Sequence, residues 1–337
     1  MRAAYYESVG AASDVIRVGE RPTVQPGAGE VRIRIHASGV NPSDVKARAG
    51  ARGILAYPYV IPHSDGAGVI DAVGSEVNSS RVGERVWTWN AAWKRPFGTC
   101  AEYVCLPTGQ AVPLPPNTEF DAGACLGIPA MTACHATLGD GPLAGKTVLV
   151  TGGAGAVGYC AIQFAKWSGA KVITTVSGEA KSRHAKRAGA DHVINYREQD
   201  VVSVVKMLTA GAGVDRIVEV EFGGNLAVCN QILKVGGVIA ASGSAAAPTP
   251  QLPFYPMMFN HTTLQLLLVY LLTDSQRERA CGLINDALDA GVLKSHIGAQ
   301  FSLDDTAQAH LAVETGSVIG NVVVVINQSF ALGQLGA

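Results

Sequence analysis

The run Val148-Leu149-Val150-Thr151-Gly152-Gly153-Ala154-Gly155-Ala156-Val157-Gly158 constrains the fold more than any other part of this chain. An apolar strand passes straight into a glycine-rich turn, and a helix-forming run, 159–168, follows it. Gly153, Gly155 and Gly158 have the G-x-G-x-x-G spacing of a turn that cradles a dinucleotide pyrophosphate. The first glycine permits the tight turn, the second lets backbone approach phosphate, and the third lets the helix pack on the strand. The helix start then offers unpaired N–H groups and a partial positive charge to the anion. The strand before and the helix after give the spacing its meaning, and a nicotinamide or flavin nucleotide is the expected ligand.

The rest of the chain is organised around that turn. Beyond about Cys125, candidate strands at 147–151, 171–176, 192–195, 216–220 and 237–242 alternate with helical runs such as 180–188 and 201–209. That alternation predicts a parallel sheet with crossover helices. The first 120 or so residues instead read as short strands broken by Gly and Pro. Val31-Arg32-Ile33-Arg34-Ile35-His36-Ala37 alternates apolar and polar, and 66–74 and 85–89 read similarly, so this part is expected to be all-β and barrel-like. The near-continuous apolar run 263–272 predicts a strand, either buried in a core or pairing across a dimer interface. A helix is expected at 275–290 and a closing strand at 321–326.

Bulk properties exclude several function classes. The chain has 337 residues, 48% hydrophobic and 16% charged, enough apolar material for two cored domains. A formal net charge of −1 gives no electrostatic reason to expect nucleic acid or an anionic membrane as partner. The longest apolar run, 266–272, is far short of the ~20 residues that a membrane-spanning helix needs. The N-terminal segment lacks the apolar region of a signal peptide. Seven scattered cysteines without a C-x-x-C pair point to reduced thiols, so a cytoplasmic location is expected. No G-x-S-x-G, H-E-x-x-H or P-loop lysine pattern competes, and the neighbours Cys134 and His135 read as core packing.

Nucleotide preference is set at the end of the second strand of such a sheet, where an acid would bind a ribose 2′-hydroxyl. Here that strand ends Thr174-Thr175-Val176-Ser177, with no acid at its tip. Lys181 and Arg183 follow, and Tyr196 ends the next strand. Hydroxyls with cations suit a 2′-phosphate, which favours NADPH over NADH. Glu179, within reach of a 2′-hydroxyl, argues the other way.

Several further segments occur together, in order: Gly39-Val40-Asn41-Pro42-Ser43-Asp44, Ser64-Asp65-Gly66-Ala67-Gly68-Val69, Gly127-Ile128-Pro129-Ala130-Met131-Thr132-Ala133, the glycine turn, Gly189-Ala190-Asp191-His192-Val193-Ile194-Asn195-Tyr196 and Gly320-Asn321-Val322-Val323. Together they resemble the medium-chain dehydrogenase/reductase superfamily, and within it the zinc-independent, zeta-crystallin-like quinone oxidoreductases. The resemblance implies an α/β protein: a GroES-like β-barrel catalytic domain from residues 1–124 and 274–337, and a doubly wound Rossmann domain from 125–273. It places Asn41 beside nicotinamide and substrate, and Thr132 near the ribose–nicotinamide part. Gly153, Gly155, Ala156, Val157 and Gly158 would face the pyrophosphate, and Ser177, Lys181 and Tyr196 the 2′-phosphate. Ser242, Gly243 and Asn321 fall where relatives contact the cofactor again. Lys46 stands where many relatives carry a substrate-side tyrosine, and Asn321 where many carry a lysine. A homodimer through the 263–272 strand is the family habit.

In the alcohol dehydrogenase branch a Cys, a His and a Cys hold catalytic zinc. The matching positions here are Asn41, Ser64 and Ile128, which lack the N/S donors that zinc wants, so no metal is expected. His63 and Asp65 are expected to hydrogen-bond rather than to ligate, and Tyr57, Tyr59 and His63 to pack, although each is a possible proton donor. Without a Lewis acid to lower an alkoxide pKa, hydride delivery to an electron-poor conjugated acceptor is favoured. The leading expectation is an NADPH:quinone oxidoreductase. A reductase of enones or 2-alkenals, or a nucleotide-binding structural or regulatory protein with negligible turnover, are the alternatives.

Overall fold

A computed structural model describes residues 1–51 and 53–326. The chain divides into two compact units: Met1–Ile128 together with the chain from Ser295 onward, and Pro129–Lys294. It passes from one to the other inside a single π-turn, Leu126–Ala130, that contains Pro129. The first boundary lies within four residues of the expected one, but 274–294 group with the second unit, not with the β-rich one. The physical reason is packing: helix Asp274–Asp289 lies on helix Met131–Leu138, and Arg279 donates to the Leu138 carbonyl at 3.4 Å. Lys294 and Gln163 then exchange two hydrogen bonds, of 2.9 and 3.2 Å. Residues 327–337 of the expected 274–337 segment lie outside the described residues.

The first unit opens with an antiparallel pair, β1 (Arg2–Tyr5) and β2 (Arg17–Glu20). Then come β3 (Glu30–Val40), β4 (Asp65–Val73), β5 (Arg85–Thr88), β6 (Tyr103–Pro107) and β7 (Ala111–Pro113). The period of two in β3 sorts its faces as the sequence implies. Val31, Ile33 and Ile35 are fully buried against Ile70, Val86, Val104 and Leu106. Arg32 points the other way and forks onto Asp71 at 2.9 and 3.0 Å.

The second unit has six strands: β8 (Thr147–Val150), β9 (Lys171–Val176), β10 (His192–Asn195), β11 (Val214–Glu219), β12 (Leu233–Ala241) and β13 (Thr263–Leu266). All pair in parallel, in the order β10-β9-β8-β11-β12-β13. Counted within the unit this is 3-2-1-4-5-6, the doubly wound Rossmann order, with its switch point between β8 and β11. β14 (Ile297–Ser302) and β15 (Asn321–Val325) then return to the first unit, where β15 pairs with β3. The resulting seven-stranded sheet runs β14-β15-β3-β4-β5-β7, with β6 also on β3.

The run 263–272 departs from expectation. Only Thr263–Leu266 is strand, and a 3₁₀ turn, Val269–Leu271, follows. β13 is the sheet edge, and its register against Val238–Ala241 of β12 covers four residues. Leu266 is 73% exposed and Leu271 65%, so this is not a buried core strand.

Candidate functional site

Three demands meet in the glycine turn, and the structure shifts one of them, the tight turn, to the residue ahead of the spaced glycines. The backbone of Gly152, just before the first motif glycine, takes the left-handed conformation (φ +63°) that makes the tight turn. Gly153 is needed for packing, because a Cβ there would lie 2.0 Å from Thr174 Oγ1 on β9. Gly158 brings helix Ala156–Trp167 onto the turn, and a Cβ would sit 2.3 Å from the Gly152 carbonyl oxygen. Gly155 differs from both. It is exposed at the helix start, and its Cβ position meets only the Gly152 oxygen at 3.4 Å. The space beside it is open to an incoming group, and the partly exposed first turn of the helix, Ala156 and Val157, lies behind. An anion placed there meets free N–H groups and the positive end of the helix dipole.

A cavity of about 560 Å³ opens beside this turn. Its wall includes Thr151, Gly152, Thr175, Tyr196, Val220 and Asn225. These residues lie at or near the carboxyl ends of β8 to β11, around the switch point where such sheets hold ligands. At the tip of β9, Lys181 Nζ donates to Ser177 Oγ at 3.1 Å. Tyr196, half exposed, is anchored by its N–H to the Val176 carbonyl at 3.1 Å. Glu179 is engaged by Arg183 one helical turn on. Ser242 and Gly243 follow β12. The Ser242 N–H donates to the Glu219 carbonyl at 2.9 Å, and the Gly243 carbonyl accepts from Phe222 N–H at 2.7 Å. They border a second, smaller cavity of about 280 Å³ with Leu266 and Leu268. Thr132 is buried near the start of helix Met131–Leu138.

Asn41, Lys46 and Asn321 belong to the first unit. Asn41 caps helix Pro42–Arg48: its N–H donates to Asp44 Oδ2 at 2.8 Å. Its Nδ2 donates to Asp65 Oδ2 at 2.9 Å. That oxygen also accepts from Ile128 N–H at 3.1 Å, while the other carboxyl oxygen of Asp65 is buried without a hydrogen-bond partner. Burial, opposed by these two donors, pushes the Asp65 carboxyl well above the usual range. Asp65 therefore fixes the Asn41 carboxamide, a role the sequence reading did not assign. Lys46 is exposed on the same helix. Asn321 spends its side chain on the His296 carbonyl, at 3.1 Å.

The residues at the three zinc-ligand positions do not suit zinc. The Asn41 amide nitrogen is committed to Asp65, Ser64 offers only a buried hydroxyl, and Ile128 has no side-chain donor. Among the described residues no three His, Cys, Asp or Glu side chains gather as a metal site. His63 bonds His310 Nε2 and Ser38 Oγ, each at 2.9 Å. Tyr57 donates to the Lys94 carbonyl at 2.7 Å, and Tyr59 packs between Tyr5 and Phe97. Tyr57 and His63 also line a cavity of about 370 Å³ within the first unit. None of the seven cysteines forms a disulfide, and burial pushes the Cys134 thiol up to about 12, which leaves it inert.

Comparison with known proteins agrees with both halves of this architecture. Residues 27–116 match the family described as alcohol dehydrogenase GroES-like domain, and 156–285 the family described as zinc-binding dehydrogenase. Mouse quinone oxidoreductase is 32% identical over 296 residues, 87% of each chain. A 2-haloacrylate reductase from Burkholderia is 31% identical over 310 residues, 89% of this chain and 91% of that one. A mycobacterial protein solved in complex with NADPH superposes with a TM-score of 0.86 at 28% identity, covering 97% of this chain and all of the other. The chain belongs to the medium-chain dehydrogenase/reductase superfamily, in its zeta-crystallin-like quinone oxidoreductase family.

Proposed function

We propose that this protein is an NADPH-dependent reductase that works without zinc and whose acceptor is a quinone. One observation carries the cofactor reading. The tip of β9 presents the Ser177 hydroxyl and the Lys181 ammonium side by side, with no carboxylate at the tip, and Glu179 is taken up by Arg183. That pair matches a 2′-phosphate, and the open space at Gly155 matches a pyrophosphate. The mycobacterial relative solved with NADPH supports the same ligand.

When bound, NADPH supplies a hydride from its nicotinamide ring. Every other task falls to the chain. Gly153, Gly155, Ala156, Val157 and Gly158 form the pyrophosphate cradle, with Ser177, Lys181 and Tyr196 on the 2′-phosphate. Thr132 is assigned to the ribose–nicotinamide part, and Ser242, Gly243 and Asn321 to further contacts with the cofactor. Asn41, held by Asp65, orients nicotinamide and substrate, and Lys46 donates a hydrogen bond to the reduced oxygen. A quinone carbonyl needs no stronger electrophilic help than such donors.

The Burkholderia relative favours a second reading, reduction of a conjugated carbon–carbon double bond, with a proton delivered to the α-carbon. A panel of quinones and 2-alkenals, assayed by NADPH oxidation, separates the two. Rapid turnover of quinones without alkenals supports the first, and the reverse pattern overturns it. The protein is proposed to be cytoplasmic; among the described residues no helix is long and apolar enough to cross a membrane. It is proposed to pair as a homodimer through β13, where Leu266 is exposed, as are Phe254, Tyr255 and Phe259 of the helix before it and Leu271 of the 3₁₀ turn after it.

A further inference from the structure

Glu219 ends β11 with its side chain fully buried, a costly place for a carboxylate unless donors meet both oxygens. Donors do meet both. Oε1 accepts from Thr151 Oγ1 at 2.8 Å, from Glu221 N–H at 2.7 Å and from Asn225 Nδ2 at 3.0 Å. Oε2 accepts from the Cys229 thiol at 3.3 Å. The main-chain carbonyl of Glu219 accepts from Ser242 N–H at 2.9 Å.

These donors come from segments far apart in sequence. Thr151 opens the glycine turn, Glu221 and Asn225 start helix Phe222–Ile232, and Cys229 lies one turn further along it. Thr151, Glu221, Asn225 and Cys229 all line the 560 Å³ cavity, whereas Glu219 itself does not. We propose that Glu219 is a positioning residue for dinucleotide binding. Through Thr151 it holds the glycine turn at a fixed distance from the 221–229 segment, so that both walls of the cavity stand ready before the cofactor arrives. The proposal rests on the NADPH reading given above. It concerns the shape of the cavity itself, because a preorganised cavity avoids ordering its walls when the ligand binds.

The hydrogen-bond pattern also says which substitute works. Three of the four donors to the carboxyl group converge on one oxygen, so a neutral side chain with one well-placed acceptor replaces most of the interaction. Glutamine can present its oxygen to Thr151, Glu221 and Asn225, and turn its amide toward the Cys229 sulfur. Alanine can do neither.

The test compares wild type, Glu219→Gln, Glu219→Ala and Thr151→Val by NADPH titration of the full chain. Steady-state kinetics with 1,4-benzoquinone and melting temperatures are measured beside it. Glu219→Ala is expected to weaken NADPH binding about tenfold or more and to raise its KM in parallel, with kcat at saturation largely kept. Glu219→Gln restores affinity to within a few-fold of wild type. Thr151→Val keeps the shape and loses the linking hydroxyl; it weakens binding on its own and adds little to Glu219→Ala. A folded Glu219→Ala that binds NADPH like wild type overturns the proposal, as does a Glu219→Gln no better than the alanine. If Glu219→Ala fails to fold, unchanged binding by Thr151→Val overturns it. A wild type that binds NADH and not NADPH overturns the cofactor reading alone, and the same comparison is then made with NADH. A wild type that binds neither overturns both.

Discussion

At the scale of single residues, the glycines of the turn make separable predictions. Gly158→Ala drives a Cβ into the Gly152 carbonyl and should destabilise the second unit by about 1–3 kcal/mol. Gly155→Ala meets no protein atom closer than 3.4 Å and keeps a backbone that alanine accepts (φ −79°). It should leave thermal stability nearly unchanged while weakening NADPH binding, because the new methyl occupies the space proposed for the phosphate. Melting curves and cofactor titration on both variants check the pair, and a Gly155→Ala protein that binds NADPH normally would contradict the cradle. The buried imidazoles make a pH prediction. Thr99 donates to the Asp65 carbonyl, so it accepts from Ser38, which in turn accepts from His63 Nδ1–H. His63 Nε2 is then the acceptor for His310 Nε2–H, and both rings are neutral. Burial holds His63 well below the usual imidazole range, and burial with the nearby Arg48 charge lowers His310 to about 3. Between about pH 6.5 and 3 the unfolded chain takes up protons that folded His310 refuses, so stability falls as pH falls. The slope is up to about 1.4 kcal/mol per pH unit for each imidazole. Urea unfolding at pH 6.5 and 5.5 should show that loss, and His310→Gln should remove one imidazole's share. Comparing the two proteins cancels the opposing effect of Asp65, whose raised pKa favours the folded state on acidification.

At the scale of elements, β13 is where sequence and structure part most usefully. A near-continuous apolar run of ten residues reads as one strand, in a core or at a dimer interface, yet four residues pair and several leucines face outward. Apolarity signals burial without saying against what, and an edge awaiting a second copy looks the same as a core. If the proposed dimer forms through that edge, Leu266→Lys, on its exposed part, shifts the protein from dimer to monomer in sedimentation without unfolding it. A wild type that sediments as a monomer at micromolar concentration would contradict the proposed dimer. Elsewhere local signals sufficed: the alternation of Val31, Ile33 and Ile35 and the spacing of 153, 155 and 158 mark β3 and the turn, because each depends on residues close in the chain. What stayed hidden depends on contacts distant in sequence. Asp65 finding Asn41 and Glu219 finding Thr151 are pairings that no local spacing encodes. Even inside the motif, the positive φ falls on Gly152, one residue ahead of the pattern. The helix expected at 275–290 forms as Asp274–Asp289, but its place in the second unit is set by packing on 131–138.

At the scale of the whole molecule, one unit is built from both ends of the chain and the other is inserted as a single continuous stretch. The inserted unit holds the residues proposed as cradle and 2′-phosphate pair, so cofactor preference should be separable from the chemistry that Asn41 and Lys46 are proposed to serve. Lys181→Ala should accordingly raise the KM for NADPH about tenfold or more while leaving NADH kinetics nearly unchanged. Lys46→Ala should do the converse, lowering quinone turnover with little effect on NADPH affinity. The most direct test is the ratio of kcat/KM for NADPH to that for NADH, with 1,4-benzoquinone as acceptor, in wild type and Lys181→Ala. A ratio of at least about ten that collapses toward one in the variant is the predicted result. An equal or better rate with NADH in the wild type would contradict it.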